Sequence, residues 1–360
     1  MKIAIISNSI VANDAIGSDI EKMLGILCKK HECHVYGPYV LNKRIKGISR
    51  DKLLELISDE SNLLIYHHSI FWDDVENILN KAKCKIAFKY HNITPPEYFK
   101  YYSKHYYDLC RSGREQTKRL SERYFDALWM PDSEFNSQDI TAGKKEIIPP
   151  FNGIKWLSSL QPDDYILSGL LESNKINLLF VGRITPNKNH AFLFEILTDY
   201  IRNYGNEICL HVIGKQDGKL KSYFEELKYL VKKMDLKDNV KFAGEAGDRE
   251  LLSYYLGCDF YVCGSDHEGF CVPIVEAQYF CLPVIAKRSS AVAETAGNGQ
   301  LLLSQDPREY SAAIRLLTDD TGYLRYVVEK GYDNYSSRFD NDLIEEKFLR
   351  VLSEYTGTDL

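Results

Sequence analysis

The sequence lacks any uninterrupted apolar run of the roughly 18–20 residues that a membrane-spanning helix needs. Its first residues, MKIAIISNSIVANDAIGSD, contain one lysine and only a short apolar stretch. A secretory signal peptide has a longer apolar region followed by a small-residue cleavage site. The opening stretch therefore predicts a first β-strand, with neither a leader nor a membrane span.

Paired cysteine motifs are also missing. The sequence has nine cysteines, which is an odd number, and no CxxC pair. Several of them lie in apolar runs such as CDFYVCG. This usage is typical of reduced, buried thiols, and it predicts a cytoplasmic protein.

A concentrated excess of positive charge is absent. The net charge is −6; residues 1–150 carry 22 Lys and Arg against 20 Asp and Glu, and the remainder carries 23 against 31. A nucleic-acid-binding protein would show a basic face, so no nucleic-acid partner is predicted. There is no GxGxxG after the first strand, which disfavours a dinucleotide-dependent dehydrogenase.

The sequence does contain a regular alternation of strand-like and helical patterns. A chain of 360 residues exceeds one ordinary core, so two domains are expected. Strand-like runs alternate with helical patterns in both halves, which indicates two doubly wound α/β units with parallel sheets. We predict an N-terminal domain at 1–150 and a C-terminal domain at 151–339. The stretch 151–175 lacks clean periodicity and predicts a connection with a variable loop, and 340–360 predicts a helix.

The stretch HEGFCVPIVEAQYF follows a predicted buried strand. The N–H groups from Gly269 to Val272 would lie at a helix N-terminus, which binds anions. Glu268 on the loop and Glu276, predicted in the first helical turn, are acceptors suited to hydroxyl groups. Phosphate and hydroxyls together describe a sugar nucleotide. Ordinary helix capping is the alternative explanation of the same residues.

Two cations follow the first strand of this half. Arg183 lies at its carboxyl end and Lys188 lies before the next helix, in the crevice where open α/β sheets bind ligands. Together they would neutralise a diphosphate without a metal; a solvated loop is the alternative. Gly244 and Glu245 end the strand VKFAGE, where exposed backbone could pair with a nucleobase.

Four motifs, GRITPNKN, VKFAGE, HEGFCVPIVEA and PVIAKRSSAVAET, occur in this order across most of 175–300. Their order and spacing resemble the retaining glycosyltransferases of family 4, the glycosyl transferases group 1. YHNITP and GREQTKRL add a fainter likeness in the N-terminal half. The resemblance implies the GT-B fold, with two Rossmann-like domains facing a cleft and the terminal helix packing back on the first domain.

The resemblance also implies roles in the C-terminal domain. Arg183 and Lys188 would bind the donor diphosphate. Glu268 would hold hydroxyls of the donor sugar, and Glu276 the ribose hydroxyls. Contacts to sugar and phosphate would come from the loop residues Gly269, Phe270, Cys271 and Val272.

In the N-terminal domain the resemblance implies two further residues. Gly17, in a loop after the first strand, would approach the diphosphate, and His91 would reach the reacting sugar. The sequence departs from the family at three places. Cys271 and Cys281 stand where the family often has glycine, and Gly17 stands alone where a glycine pair is usual. Without the family resemblance, a lone histidine such as His91 would more often have a structural role than a catalytic one.

Two further stretches carry charge. Residues 100–119 interleave tyrosines with lysines and arginines, which predicts contact with anionic headgroups or a phosphorylated lipid carrier; a solvated helix face over packed tyrosines is the alternative. Asp340, Asn341 and Asp342 match an aspartate pair of metal-dependent transferases. Here they open a helix, where aspartate is a common cap, so no metal site is predicted.

The implied function is hexose transfer, with retention, from a UDP- or GDP-sugar to a saccharide acceptor. The acceptor would be lipid-linked, in surface polysaccharide or glycoconjugate synthesis at the inner face of the plasma membrane, and neither a cofactor nor a metal is expected. Two alternatives stay open. One is another GT-B activity, a nucleotide-sugar epimerase or a phosphorylase; the other is a non-catalytic GT-B partner subunit, which the replaced glycines favour.

Overall fold

The structure is a computed structural model that describes residues 1–12 and 14–360. It divides into two compact units. The first unit comprises Met1–Pro96, Tyr106–Asn152 and Asp340–Leu360, and the second comprises Glu97–His105 and Gly153–Phe339. The short segment 97–105, which the sequence assigned to the N-terminal domain, thus groups with the second unit.

The first unit is built on a six-stranded parallel sheet with the strand order β3-β1-β5-β6-β7-β8, and β2 pairs with β4 in a separate two-stranded sheet. Its strands are β1 (Lys2–Ser7), β2 (Ser9–Ile10), β3 (Glu32–Tyr36), β4 (Tyr39–Val40), β5 (Leu63–His68), β6 (Lys85–Tyr90), β7 (Leu128–Pro131) and β8 (Lys144–Lys145). Its helices up to this point are α1 (Ala15–Leu27), α2 (Arg50–Ile57), α3 (Val75–Leu79), α4 (Lys104–Arg123, whose first two residues lie in the 97–105 segment) and α5 (Glu134–Ser137).

Strand β5 and helix α1 show why these residues fold this way. All six residues of β5 are buried, as expected of a central strand with both faces covered. Helix α1 buries Ile20, Met23 and Leu27, at the 3–4-residue spacing that places them on one face. Helix α1 is therefore an amphipathic helix between two strands, in agreement with the predicted alternation of strands and helices.

The second unit contains another six-stranded parallel sheet, with the order β11-β10-β9-β12-β13-β14. Its strands are β9 (Ile176–Val181), β10 (Ile208–Ile213), β11 (Val240–Gly244), β12 (Phe260–Cys263), β13 (Val284–Lys287) and β14 (Leu301–Leu303). Its helices are α6 (Ile154–Leu157), α7 (Asp164–Leu171), α8 (His190–Tyr204), α9 (Lys221–Lys233), α10 (Asp248–Gly257), α11 (Val272–Tyr279), α12 (Val292–Ala296), α13 (Pro307–Asp319) and α14 (Thr321–Arg338). The strand order reverses between β9 and β12, as in doubly wound folds.

Helices α6 and α7 lie in the stretch 151–175, where the sequence predicted no regular structure. Asp163 caps α7 by accepting a hydrogen bond from the N–H of Ile166 at 3.0 Å. Yet α7 buries only Leu170 and leaves Tyr165 90% exposed. The helix has only 8 residues, so its sequence spans too few turns for a helical pattern to be clear.

The last helix, α15 (Asn341–Thr356), belongs to the first unit. Asp340 caps it by accepting from the N–H of Asp342 at 2.9 Å, so the predicted capping role is confirmed. Phe348 is fully buried, whereas Leu343 is 42% exposed. The residues that α15 adds to the first unit's core are Ile344, Phe348, Val351 and Leu352.

No helix within 1–12 and 14–360 combines the length and apolarity needed to cross a bilayer.

Candidate functional site

In the second unit, the predicted site residues gather at the reversal of strand order. Arg183 and Lys188 lie between β9 and α8, and residues 264–271 connect β12 to α11. Strands β9 and β12 pair directly, so both connections leave the same sheet edge. This is the edge at which doubly wound sheets bind their ligands.

Lys188 and Glu268 form an ion pair at this edge. The ammonium Nζ lies 2.5 Å from Oε1 and 2.7 Å from Oε2 of the carboxylate, and the two side chains are 18% and 8% exposed. Burial is the largest single effect and would lower the pKa of Lys188, but the charge of Glu268, its hydrogen bond and smaller contributions together outweigh burial and raise this pKa. Lys188 is therefore held as a fixed cation in a partly dry setting, where charge acts more strongly than in water.

The loop that carries Glu268 is anchored from two sides. The side chain of Asn187 donates to the carbonyl of His267 at 2.9 Å, and the N–H of Asp266 donates to the carbonyl of Asn187 at 2.8 Å. The N–H of Glu268 donates to the hydroxyl of Ser290 at 2.8 Å. The sequence analysis missed these anchors, although Asn187 and Ser290 both lie in polar stretches that follow strands.

Helix α11 begins directly after Cys271, which has φ 77° and ψ 66° and caps the helix in the left-handed conformation. Glycine adopts this conformation without a side-chain penalty, which explains why glycine suits the position where this chain has cysteine. Pro273 occupies the second helical position. The N–H groups that open α11 have no acceptor within the helix, as at every helix start, and such a start suits an anion.

Glu276 lies in the second turn of α11, because the helix begins at Val272; the prediction of the first turn was wrong. The hydroxyl of Tyr255 donates to Oε2 of Glu276 at 2.6 Å. Burial raises the pKa of Glu276, and the hydrogen bond from Tyr255 partly opposes this rise. The bond also fixes the direction in which the carboxylate presents its other oxygen.

The remaining predicted residues of this unit lie on neighbouring strand ends and have other partners. The guanidinium of Arg183 bonds Asp217 at 3.2 Å, with the Arg183 side chain 57% exposed. Gly244 ends β11 with φ 76°. Glu245 follows it and forms an exposed ion pair with Lys215 at 3.7 Å.

In the first unit, Gly17 is the third residue of α1 and not part of a loop, so its predicted setting was wrong. Its N–H donates to Oδ1 of Asp14 at 2.5 Å. A Cβ at this position would lie 1.8 Å from the carbonyl oxygen of Val11. The structural need for glycine is thus the close packing of the preceding turn against the helix.

His91 directly follows β6 and belongs to a buried polar cluster. Its Nδ1 lies 3.0 Å from Oδ2 of Asp132 and its Nε2 lies 2.9 Å from Nδ1 of His67. Lys89 pairs with the other oxygen of Asp132. The His91 side chain is only 5% exposed. The sequence analysis missed the partners, whose signal was polar residues at the ends of the apolar runs LLIYHH and DALWMPD.

The basic stretch 100–119 is largely α4, and part of its charge is neutralised within the first unit. Arg114 pairs with Asp139 and Arg119 pairs with Glu76, each at 2.9 Å. Tyr106 and Tyr107 are half-buried. These contacts agree with a packed helix whose outer face is solvated.

Comparison with known proteins gives a match to one family over this site. Residues 166–334, a little under half of the chain, match the family model of the glycosyl transferases group 1. This stretch contains both connections at the strand reversal, together with the Lys188–Glu268 pair, so the resemblance predicted from the four motifs is confirmed.

Curated relatives agree. A D-inositol 3-phosphate glycosyltransferase of Kineococcus radiotolerans is 31% identical over 157 residues, which are 40% of this chain and 36% of that protein. The O-antigen chain mannosyltransferase RfbU of Salmonella typhimurium is 29% identical over 177 residues, 47% of each chain. The match thus spans between a third and a half of these relatives' length.

A solved structure covers more of the chain. The structure of HepE from Anabaena in complex with UDP and glucose aligns with 98% of this chain and 100% of its own, at a TM-score of 0.74 and 18% identity. At this identity the likeness shows the fold. The fold is GT-B, with two parallel-sheet α/β units, as the sequence predicted.

Proposed function

We propose that this protein is a retaining glycosyltransferase that moves a hexose from a UDP- or GDP-sugar to a saccharide acceptor. The observation that carries the proposal is the placement of Arg183 and the Lys188–Glu268 pair at the strand reversal. That reversal lies inside the stretch that matches the glycosyl transferases group 1.

The chemistry that we propose is stabilisation of the leaving group. Negative charge grows on the nucleoside diphosphate as the glycosidic bond breaks, and fixed cations and helix amides are effective where such charge develops. Arg183 is exposed and its pair with Asp217 is worth at most about 1 kcal/mol, so it can turn to a diphosphate at little cost. Lys188 is already fixed. Two cations make a metal ion unnecessary, and we propose transfer without metal or cofactor.

We propose retention by front-face attack, and the geometry of Glu268 supports this proposal. Both oxygens of Glu268 are bound by Lys188, which makes this carboxylate a poor nucleophile. We therefore assign it to the hydroxyls of the donor sugar through its remaining lone pairs. The departing phosphate would act as the base for the acceptor hydroxyl. Glu276 would hold the ribose, the N–H groups from Gly269 to Val272 the phosphate and sugar, and the backbone at Gly244 and Glu245 the nucleobase.

For the first unit we propose that His91 contacts the reacting sugar. We make no such proposal for the N–H of Gly17, because Asp14 already accepts it. His91 would need to exchange its bond to His67 for one to the sugar, whereas its bond to Asp132 could persist and orient the ring.

We further propose a lipid-linked acceptor in surface polysaccharide synthesis at the inner face of the plasma membrane. Arg111 and Lys118 on the outer face of α4 have acidic neighbours only at 3.7 and 4.0 Å, so both remain available to headgroups. Tyr101 is 84% exposed. Sedimentation with vesicles tests this: binding should require anionic lipid and weaken in an R111E/K118E variant. Equal recovery with zwitterionic vesicles would reject the membrane contact.

The donor site is tested by thermal shift with UDP, GDP, ADP and dTDP in the presence of a chelator. One nucleotide should raise Tm, and Arg183→Ala should weaken its binding by about 10- to 100-fold, the loss expected for a charge-assisted hydrogen bond. Arg315→Ala is the matched control, because Arg315 is another half-exposed arginine paired with an aspartate. If no nucleotide shifts Tm, the donor site is wrong and a non-catalytic partner subunit is favoured.

Turnover is tested with the nucleotide sugar that binds. Products with and without an acceptor separate a transferase from an epimerase or a phosphorylase. Lys188→Ala should lower transfer by more than tenfold, and survival within tenfold would reject leaving-group stabilisation.

A further inference from the structure

Three potential metal-ligand atoms converge in the first unit, at the carboxyl ends of neighbouring strands. Nδ1 of His67 lies 2.9 Å from Nε2 of His91, and Oδ2 of Asp19 lies 3.7 Å from the former and 3.8 Å from the latter. The point equidistant from these three atoms is about 2.0 Å from each, which is the length of a bond from zinc to imidazole nitrogen or carboxylate oxygen. A tetrahedral site with bonds of about 2.0 Å separates its ligand atoms by roughly 3.3 Å, a value that lies between the shortest and the longest of the three observed separations.

Two of the three ligands, His91 and Asp19, have the outer contacts that metal ligands usually have, whereas Nε2 of His67 is buried with no hydrogen-bond partner within the described residues. Nδ1 of His91 faces Oδ2 of Asp132 at 3.0 Å, the carboxylate–histidine arrangement that orients a ligating imidazole. Oδ1 of Asp19 accepts from the N–H of Phe151 at 2.7 Å, which turns Oδ2 toward the two rings. Oδ2 is buried and has no hydrogen-bond partner among residues 1–12 and 14–360, an expensive condition for a carboxylate oxygen.

The charges are also those of a metal-ligand set. Lys89 binds Asp132 and the carbonyl of Ile148, so the Lys89 and Asp132 charges cancel. What remains is two imidazoles and one carboxylate, the set of many zinc sites that keep an open position.

We propose that Asp19, His67 and His91 form a binding site for a divalent transition-metal ion of the zinc type. Two imidazoles favour zinc or cobalt over magnesium and calcium, which prefer oxygen ligands. The ion displaces the proton shared between the two rings, and it occupies Nε2 of His91. If His91 contacts the sugar as proposed above, the ion and the sugar exclude each other, and zinc inhibits transfer that itself needs no metal.

Cobalt and zinc titrations of chelator-treated protein test the site without any activity measurement. Wild type should bind one equivalent, and Co²⁺ should show the visible absorption of a four-coordinate complex. Asp19→Asn and His67→Gln should abolish that spectrum, and Asp132→Asn should weaken zinc binding by about 10- to 100-fold. His68→Gln is the matched control, because His68 neighbours His67 on β5 but bonds Tyr66 and Thr117 instead; it should bind as wild type does.

Two outcomes overturn the proposal. The first is absence of stoichiometric binding to wild type. The second is metal binding that persists in Asp19→Asn and His67→Gln. Cys28 and Cys33 are neighbouring thiols that could bind the same metals, so loss of binding in a Cys28→Ser/Cys33→Ser variant would also overturn the proposal. Either result identifies an adventitious ion only. X-ray absorption on zinc-loaded wild type covers the case in which a variant fails to fold: the spectrum should show two imidazoles with oxygen near about 2.0 Å, and sulfur at the metal would reject the site.

Discussion

The Lys188–Glu268 pair should be strongly coupled in stability, because water is largely excluded from it. Removing one partner of a buried pair leaves the other charge uncompensated and costs about 3–5 kcal/mol. The side chains retain 18% and 8% exposure, so we expect the lower limit, about 3 kcal/mol, for Lys188→Met and for Glu268→Gln. For a unit of this size such a loss lowers Tm by roughly 6–12 °C. The double variant removes both charges and should cost less than the sum of the singles by about 2 kcal/mol or more.

Calorimetry of the four proteins measures this coupling through the transition of the second unit. The chain offers a control cycle in the same unit: Lys228 and Glu225 are joined at 2.7 Å, but their side chains are 46% and 53% exposed. Their coupling should stay within about 0.5 kcal/mol. If the Lys188–Glu268 cycle is additive within that margin, the argument that burial strengthens the pair is refuted.

Three further predictions concern the fold and the titration of the site. Gly17→Ala should lower Tm by several degrees because its Cβ would overlap a backbone carbonyl, whereas Gly25→Ala, in the same helix with nothing within 4 Å, should be neutral or stabilising by up to about 1 kcal/mol. The pKa of Glu276 is raised in the folded protein, so the folded state binds more protons than the unfolded state. The free energy of unfolding should therefore fall as pH rises from the ordinary pKa of 4.5 through the raised pKa. In denaturation measured across pH, Glu276→Gln should lack this dependence. Phe348→Ala should cost about 3–5 kcal/mol of unfolding free energy, and Leu343→Ala, on the exposed side of α15, less than about 1 kcal/mol; equal losses would contradict the observed burial.

Features that depend on periodicity or on strand ends could be predicted from the sequence. Alternating apolar runs gave both parallel sheets, and Lys188 and Glu268 could be placed at one sheet edge because the carboxyl ends of parallel strands share that edge. The direct ion pair between Lys188 and Glu268 could not be predicted from the sequence, because it depends on the directions of side chains on two separate loops. The family resemblance likewise supplied a site list but no contacts.

Other errors have local physical causes. Helix α7 has only 8 residues, so its sequence spans too few turns for a helical pattern to be clear. Glu276 was assigned to the first turn from the sequence, whereas the helix begins at Val272, directly after Cys271 in the left-handed conformation, and Glu276 is the fifth helical residue. The cluster around His91 joins residues from four separate parts of the chain, a relation that spacing alone does not reveal.

The chain passes between the two units four times, at 96/97, 105/106, 152/153 and 339/340. The first two crossings enclose residues 97–105, which belong to the second unit, and Tyr102 in this segment contacts Tyr223 with ring centroids 5.0 Å apart. The final crossing returns the chain to the first unit, where it forms α15. During translation, the first unit therefore cannot complete its core before the whole second unit has been synthesised, because α15 is the last helix of the chain. The first unit therefore cannot finish folding before the second is made, unlike a protein whose domains fold one after another from the N-terminus. A ribosome-bound chain that stops before Asp340 would expose to chaperones the apolar surface that α15 covers.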